Sequence, residues 1–231
     1  MKFPTTFAAF TALTLSFQAS VSAAVLADFN FDASSLASSD ASTSWGTSDI
    51  SNGAGLPNIS GSISGTEGTP APGIDITFAD FDYAGIGASH TANGYYTFTV
   101  TPDAGTQLSF TDFTFDMFKQ FGAGATVSAT LFSSIDGFAT TGDAIGAATL
   151  VGEGESGAFY DRSITLSSLT TVSTATEFRL YLDDGGAGNN ANVFRLDNIV
   201  LNGETSVVPE PSSAAFLLGL GALGLVARRR V

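Results

Sequence analysis

The sequence predicts an all-β fold, a two-sheet antiparallel sandwich of the jelly-roll type. Apolar and aromatic residues come in short bursts whose length suits strands rather than helices. Gly, Ser, Thr and Ala fill the gaps between the bursts, as expected of turns. No stretch of the central region keeps a 3.6-residue apolar period between helix caps. Many short strands joined by Gly-rich turns belong to a sandwich.

Nine bursts qualify as strands. Residues 25–31 open the domain. Residues 74–81 alternate through Ile74, Ile76 and Phe78, and residues 95–100 set Tyr96, Phe98 and Val100 on one face. Residues 108–118 form the longest candidate and change phase: Leu108 and Phe110 share one parity, Phe113, Phe115 and Met117 the other. Strict alternation cannot bury both sets on one face. A β-bulge near Thr111 and Asp112, or a bend between two sheets, resolves the conflict. Residues 125–132, 144–151, 159–166 and 177–183 follow. The last candidate, 193–201, is apolar on both faces, Phe194 and Leu196 against Ile199 and Leu201, which places it centrally in its sheet. Residues 32–73 differ, being rich in Ser and Gly with scattered Leu36, Trp45, Ile50, Leu56, Ile59 and Ile63. So long a loop is usually functional or disordered, with room for weak strands around Ile50 and around 59–63.

The two ends read differently from the middle. Lys2, an acid-free apolar run and the small residues Ala19 to Ala24 are the three parts of a signal peptide, with cleavage expected between Ala23 and Ala24. That implies export through the Sec translocon. Residues 214–227 carry no charge and read as a single short transmembrane helix, below the usual length of about 17–25 residues. Arg228, Arg229 and Arg230 follow it and stay in the cytoplasm by the positive-inside rule. The resulting division is 1–23 signal peptide, 24–205 ectodomain with 32–73 as its long loop, and 206–231 tail. The tail also spells G-x-G-x-x-G from Gly219 to Gly224. With no strand before it and no βαβ unit around it, these are small residues of a membrane helix.

Val208 followed by Pro209, Glu210 and Pro211, then a short apolar helix, then an Arg cluster, resembles the PEP-CTERM sorting signal of Gram-negative bacteria. The resemblance implies an exosortase that cuts near Pro-Glu-Pro and releases the protein or hands it to the envelope, in species that often make exopolysaccharide. The middle of the chain is similar to the jelly-roll ectodomains of such proteins, related to carbohydrate-binding modules. Residues 95–100, 133–138 and 194–203 carry that likeness. In related modules a structural Ca²⁺ is often held by an Asp of the last strand and an acid near the first. The resemblance thus implies Asp197, in Leu196-Asp197-Asn198-Ile199, with Asp28 as the looser match. Otherwise Asp197 caps a neighbouring turn or pairs with Arg179.

Composition narrows the function classes. About 185 residues remain between the ends, enough for one domain with its own core. The chain has no Cys, which excludes disulfides and thiolate metal sites. Between residues 24 and 208 only Lys119, Arg162, Arg179 and Arg195 are basic, against 21 acidic residues. Phosphate-contacting cations are what nucleic-acid binding needs, so that class is excluded. Such acidity suits a soluble exported protein and attracts divalent cations. Twenty Phe argue against general disorder.

No catalytic set emerges. His90 is the sole histidine, in a polar turn, and no G-x-S-x-G supplies a nucleophile. One His cannot make a zinc site, and with so many acids a glycosidase pair carries no weight. The expectation is a non-enzyme. Asp183 to Asn190 partly echoes a calcium-binding repeat, but occurs once and reads as a hairpin loop. Trp45, Tyr83, Tyr95 and Tyr160 offer aromatic faces for sugar stacking; Trp45 alternatively pins the loop to the sandwich. The functional expectation is an exported surface or matrix protein with a structural or interaction role, the alternative a module that binds matrix glycans.

Overall fold

The computed structural model describes residues 21–31, 36–40, 42–52, 74–77, 95–120, 127–151, 158–183 and 193–208. Eleven strands lie within them: β1 Val21–Phe29, β2 Trp45–Thr47, β3 Ser51–Asn52, β4 Ile74–Thr77, β5 Tyr95–Pro102, β6 Thr106–Gln120, β7 Val127–Ser133, β8 Ala144–Leu150, β9 Phe159–Thr165, β10 Thr176–Asp183 and β11 Val193–Val207. One sheet has the order β1-β11-β6-β9, with β4 also on β11. The other has β2-β5-β10-β7-β8, with β3 also on β5. All pairings are antiparallel.

Each of the nine expected strands is present. β2 and β3 come from the 32–73 segment, where Ile50 had marked a weak strand and Trp45 had not. The expected transmembrane helix, the Arg cluster, Tyr83 and His90 lie outside the described residues. Among the described residues no helix is long and apolar enough to cross a membrane.

Two phase problems have the same solution. On β6, Asp112 pairs with Asn202 while Phe110 pairs with Gly203, which leaves Thr111 as an extra residue. This bulge turns Leu108, Phe110, Phe113, Phe115 and Met117 all into the core. On β11 the register shifts between Asp197 and Val200, with Asn198 in the left-handed region at φ 47°. Leu196, Ile199 and Leu201 therefore all reach the same core. The strand is central as expected, but its mixed parity reflects a bulge, not two buried faces.

The core is largely aromatic. Phe98 packs on Phe29 at 5.0 Å, Phe178 at 5.5 Å and Phe113 at 6.2 Å, and Phe110 meets Phe178 edge-on at 5.1 Å. Phe29, Phe113 and Phe110 each meet a ring of the other sheet, while Phe98 and Phe178 are cross-strand partners within one sheet. Each such pair adds about 0.5–1.5 kcal/mol beyond its area. Polar side chains reinforce the join. Leu26, the bulged residue of β1, offers its carbonyl to Trp45 Nε1 at 3.1 Å and Thr47 Oγ1 at 2.7 Å. At the far seam Arg162 Nε of β9 donates to the Thr149 carbonyl of β8 at 2.9 Å.

Gly203 sits where β1, β11 and β6 press together. A Cβ there would meet the Ser109 carbonyl and approach Leu26 Cδ1 to 2.5 Å. Gly203→Ala is expected to cost about 1–3 kcal/mol through overpacking, read as a lower urea midpoint at unchanged slope. An unchanged midpoint would contradict this packing.

Candidate functional site

Strand alternation gives the β1-β11-β6-β9 sheet two unlike faces. On β6, Phe113, Phe115 and Met117 point into the core, so Asp112, Thr114 and Asp116 point away from it. Cross-strand register brings their neighbours alongside. Thr114 stands between Val200 and Ser163, Asp112 between Asn202 and Thr165, and Asp116 between Asp197 and Asp161. The outer face is thus a grid of carboxylates, amides and hydroxyls.

The grid is hydrogen-bonded within itself. Asn198 Nδ2 donates to Asp116 Oδ2 at 2.8 Å, and Asn202 Nδ2 donates to Asp112 Oδ1 at 2.8 Å. The left-handed backbone at Asn198 aims its amide at Asp116. A shallow depression of about 410 Å³ lies here, lined by Thr114, Asp116, Asp161, Ser163, Asn198 and Val200. Two residues along, Phe118 and Phe159 pair across the strands at 5.3 Å. Phe118 is 4% exposed yet belongs to neither core cluster, consistent with its outward parity.

Electrostatics here is unfavourable to charge. Burial pushes the Asp116 carboxyl up, and Asp161 directly opposite pushes the same way, while the Asn198 amide opposes them. Carboxylates directly opposite on a sheet repel.

The sites expected from sequence are spread over the molecule. Asp28 pairs with Val200 on β11, three positions from Asp197, which pairs with Asp116. Asp28 Oδ2 accepts Ser39 Oγ at 2.7 Å. Asp197, 3% exposed, accepts the Asn198 N–H on Oδ1 at 2.8 Å. That bond lies within the β11 bulge; Arg179 is on the other sheet and donates to Glu177 at 2.7 Å. Asp40 sits near Asp28. Its carboxyl is raised by burial and then by Asp28, and its Oδ2 is buried without a hydrogen-bond partner. Among the described residues no group of three His, Asp or Glu is placed to hold a metal ion.

The aromatic candidates do not converge. Trp45 is half-buried, packed on the core and bonded to Leu26, as a pinning residue would be. Tyr95 lies on the outer face of the second sheet, where the Arg179 guanidinium is 4.6 Å from its ring and 3.8 Å from Phe138. Tyr160 packs against the core beside Arg162. The outer-face grid of Asp116, Asp161 and Asn198 was not anticipated. Each residue is visible in a candidate strand, but only the register joins them.

At the C-terminal end, residues 207–230 match the PEP-CTERM protein-sorting motif. The chain carries a PEP-CTERM sorting signal. That motif covers the expected Val208, Pro209, Glu210, Pro211, Arg228, Arg229 and Arg230. No curated protein matches the sequence. Among solved structures the chain is similar to a carbohydrate-binding module of the β-sandwich superfamily, at 13% identity and TM-score 0.31 over 76% of this chain and 61% of that one. It is also similar to the family 11 carbohydrate-binding module of a cellulosomal cellulase of Clostridium thermocellum, at 11% and 0.31 over 79% and 95%. A third is the K1 cleaved adhesin domain of Lys-gingipain from Porphyromonas gingivalis W83, at 15% and 0.30 over 79% and 97%. The PEP-CTERM chain spans about 61% of the first of these, and no residue role passes from them to it.

The Asp116 shift sets a pH dependence. Its folded pKa lies above the unfolded value of 3.8, so the native state holds protons the unfolded chain has released. Stability therefore falls as pH rises from the unfolded value through the folded one. Asp116→Asn is expected to raise the thermal midpoint at pH 7, with the advantage vanishing below about pH 4. A lower midpoint at pH 7 would mean that the Asn198 bond, not repulsion, dominates.

Proposed function

We propose that this is an exported, non-enzymatic protein of the bacterial envelope or its exopolysaccharide matrix. It leaves the cytosol through the Sec translocon, is held briefly in the inner membrane by its tail, and is cut by an exosortase near Pro209. The observation that carries the reading is the PEP-CTERM motif at 207–230. What it delivers is a sandwich of jelly-roll type, with an interaction or structural role. Cleavage after Ala23 would remove Val21, Ser22 and Ala23, three exposed residues paired with Ser206, Thr205 and Glu204, and leave β1 paired from Ala24 onward. Intact-mass analysis of the cell-surface form tests this. Termini at Ala24 and close to Pro209 are expected, whereas the whole 231-residue chain free in the cytosol would refute it.

A second reading is glycan binding. The outer-face grid favours it, because Asp116, Asp161, Asn198, Thr114 and Ser163 set charged and neutral hydrogen-bonding groups around one open depression, beside an aromatic pair. Sugar hydroxyls both donate and accept, and such a surface answers both. The double variant Asp161→Ala with Asn198→Ala is expected to lose retention on the species' own polysaccharide while its melting point stays within a few degrees. No retention of the unaltered protein would end the reading.

For Ca²⁺, the proposal rests on Asp28 and Asp197 alone, as acids of the first and last strands. Chelation should then lower the thermal midpoint by several degrees. An unchanged midpoint removes the ion.

A further inference from the structure

The fold and the sorting signal meet without a spacer. The motif begins at residue 207, and β11 runs to Val207, which pairs with Thr106. One residue further, the Val208 N–H donates to the Gly105 carbonyl at 2.8 Å. Gly105 belongs to the tight β5–β6 turn, where φ is +81° and the Thr106 N–H donates to the Asp103 carbonyl at 3.0 Å. That turn is itself tied down, because the Asp103 N–H donates to the Ser44 carbonyl at 3.0 Å. On its other side β11 is flanked by β1, which the proposed signal cleavage leaves paired from Ala24, opposite Gly203. Val208 is thus the last described residue bonded to the sandwich, and Pro209 is the next in sequence.

An enzyme that cuts a polypeptide holds it extended, through backbone hydrogen bonds on both sides of the scissile bond. Pro209 and Pro211 have no N–H to give. Of the residues from 207 to 211 only Val207, Val208 and Glu210 carry a backbone donor, and that of Val208 is committed to Gly105. Folded sandwich and processing enzyme thus compete for the same few residues. Hydrogen bonds rather than burial hold the end of β11, since Val207 is 61% exposed. A strand end of that kind opens locally without unfolding the core.

We propose that the clasp of residues 206–208 on Thr106 and Gly105 gates processing: the exosortase acts on chains in which the last rungs of β11 have opened. This rests on the exosortase reading above. Hydrolysis breaks one backbone amide and consumes one water, leaving the sandwich with a carboxylate and the tail with a free amine. The clasp changes only how often that amide is within reach.

The chain has no cysteine, so a designed pair forms the sole disulfide. Thr106→Cys with Val207→Cys, across the last paired rung, locks the clasp when oxidised. Processing in cells that make the exosortase, followed by loss of tail mass, should be at least about tenfold slower for the oxidised pair than for the same pair reduced. Inserting about six Gly and Ser residues between Val208 and Pro209 should restore the locked variant and speed the unlocked chain severalfold. Equal cutting of locked and reduced forms overturns the gate, as does an insertion that changes neither. If the unaltered chain and the linker variant both keep their tails, the exosortase reading fails together with the gate, a result distinct from either.

Discussion

One strand makes the first sheet possible. β11 is paired to β6 on one side and to β1 and then β4 on the other, along fifteen residues. Among the described pairings β1 and β4 have no other partner. The strand that opens the domain is therefore completed by the strand that closes it. Such long-range pairing forms only after loop closure across most of the chain, which makes it slow. The constraint also fixes the geometry of the outer face, because every register from Asp28 to Ser163 is counted from β11 or its neighbour β6.

The strands were legible because their apolar residues fall in nine short bursts between turn residues, several of them alternating as burial on one face requires. The Thr111 bulge was legible for the same reason: two parities in one strand need an extra residue between them. Misreading β11 shows the limit of that logic. A mixed parity admits two buried faces or one bulge, and Asn198, one of the few residue types at ease with a positive φ, was the available sign of the bulge. β2 was missed because Trp45-Gly46-Thr47 has no alternation to read. Its place comes from Trp45 and Thr47 reaching the Leu26 carbonyl, a contact between residues nineteen and twenty-one apart. The outer-face grid was invisible for a related reason. Asp116 and Asp161 become neighbours only through register, and composition supplies too many acids to choose among.

The two outer faces handle polarity differently. On the second sheet Arg179 is stacked between Tyr95 and Phe138 and bonded to Glu177, so its charge is used locally. On the first, acids face acids and are relieved by amides, Asn198 for Asp116 and Asn202 for Asp112. An amide donor beside a carboxylate holds it in place without neutralising it. A face assembled that way keeps acceptor capacity, since a carboxylate can take about four hydrogen bonds and Asp112 is seen accepting from Asn202 and Thr111. The grid is therefore a better candidate for recognition than the aromatic stack, whose polar groups are already spoken for.

Position adds a last step. The PEP-CTERM signal follows β11 directly, and β1 enters the sheet beside the same end, with Val21 against Ser206. The first and last described residues therefore lie at one edge of the molecule. Under the membrane anchoring proposed above, that edge would be the one nearest the bilayer, because at about 3.3 Å per extended residue the few residues between Val208 and the apolar run reach only a short distance. The outer-face depression at Thr114, Asp116 and Ser163 lies further along the same strands, away from the anchored end. Under that proposal a surface turned from the bilayer would need no release to meet a partner, so anchoring and recognition would be separable on this scaffold even though both depend on β11.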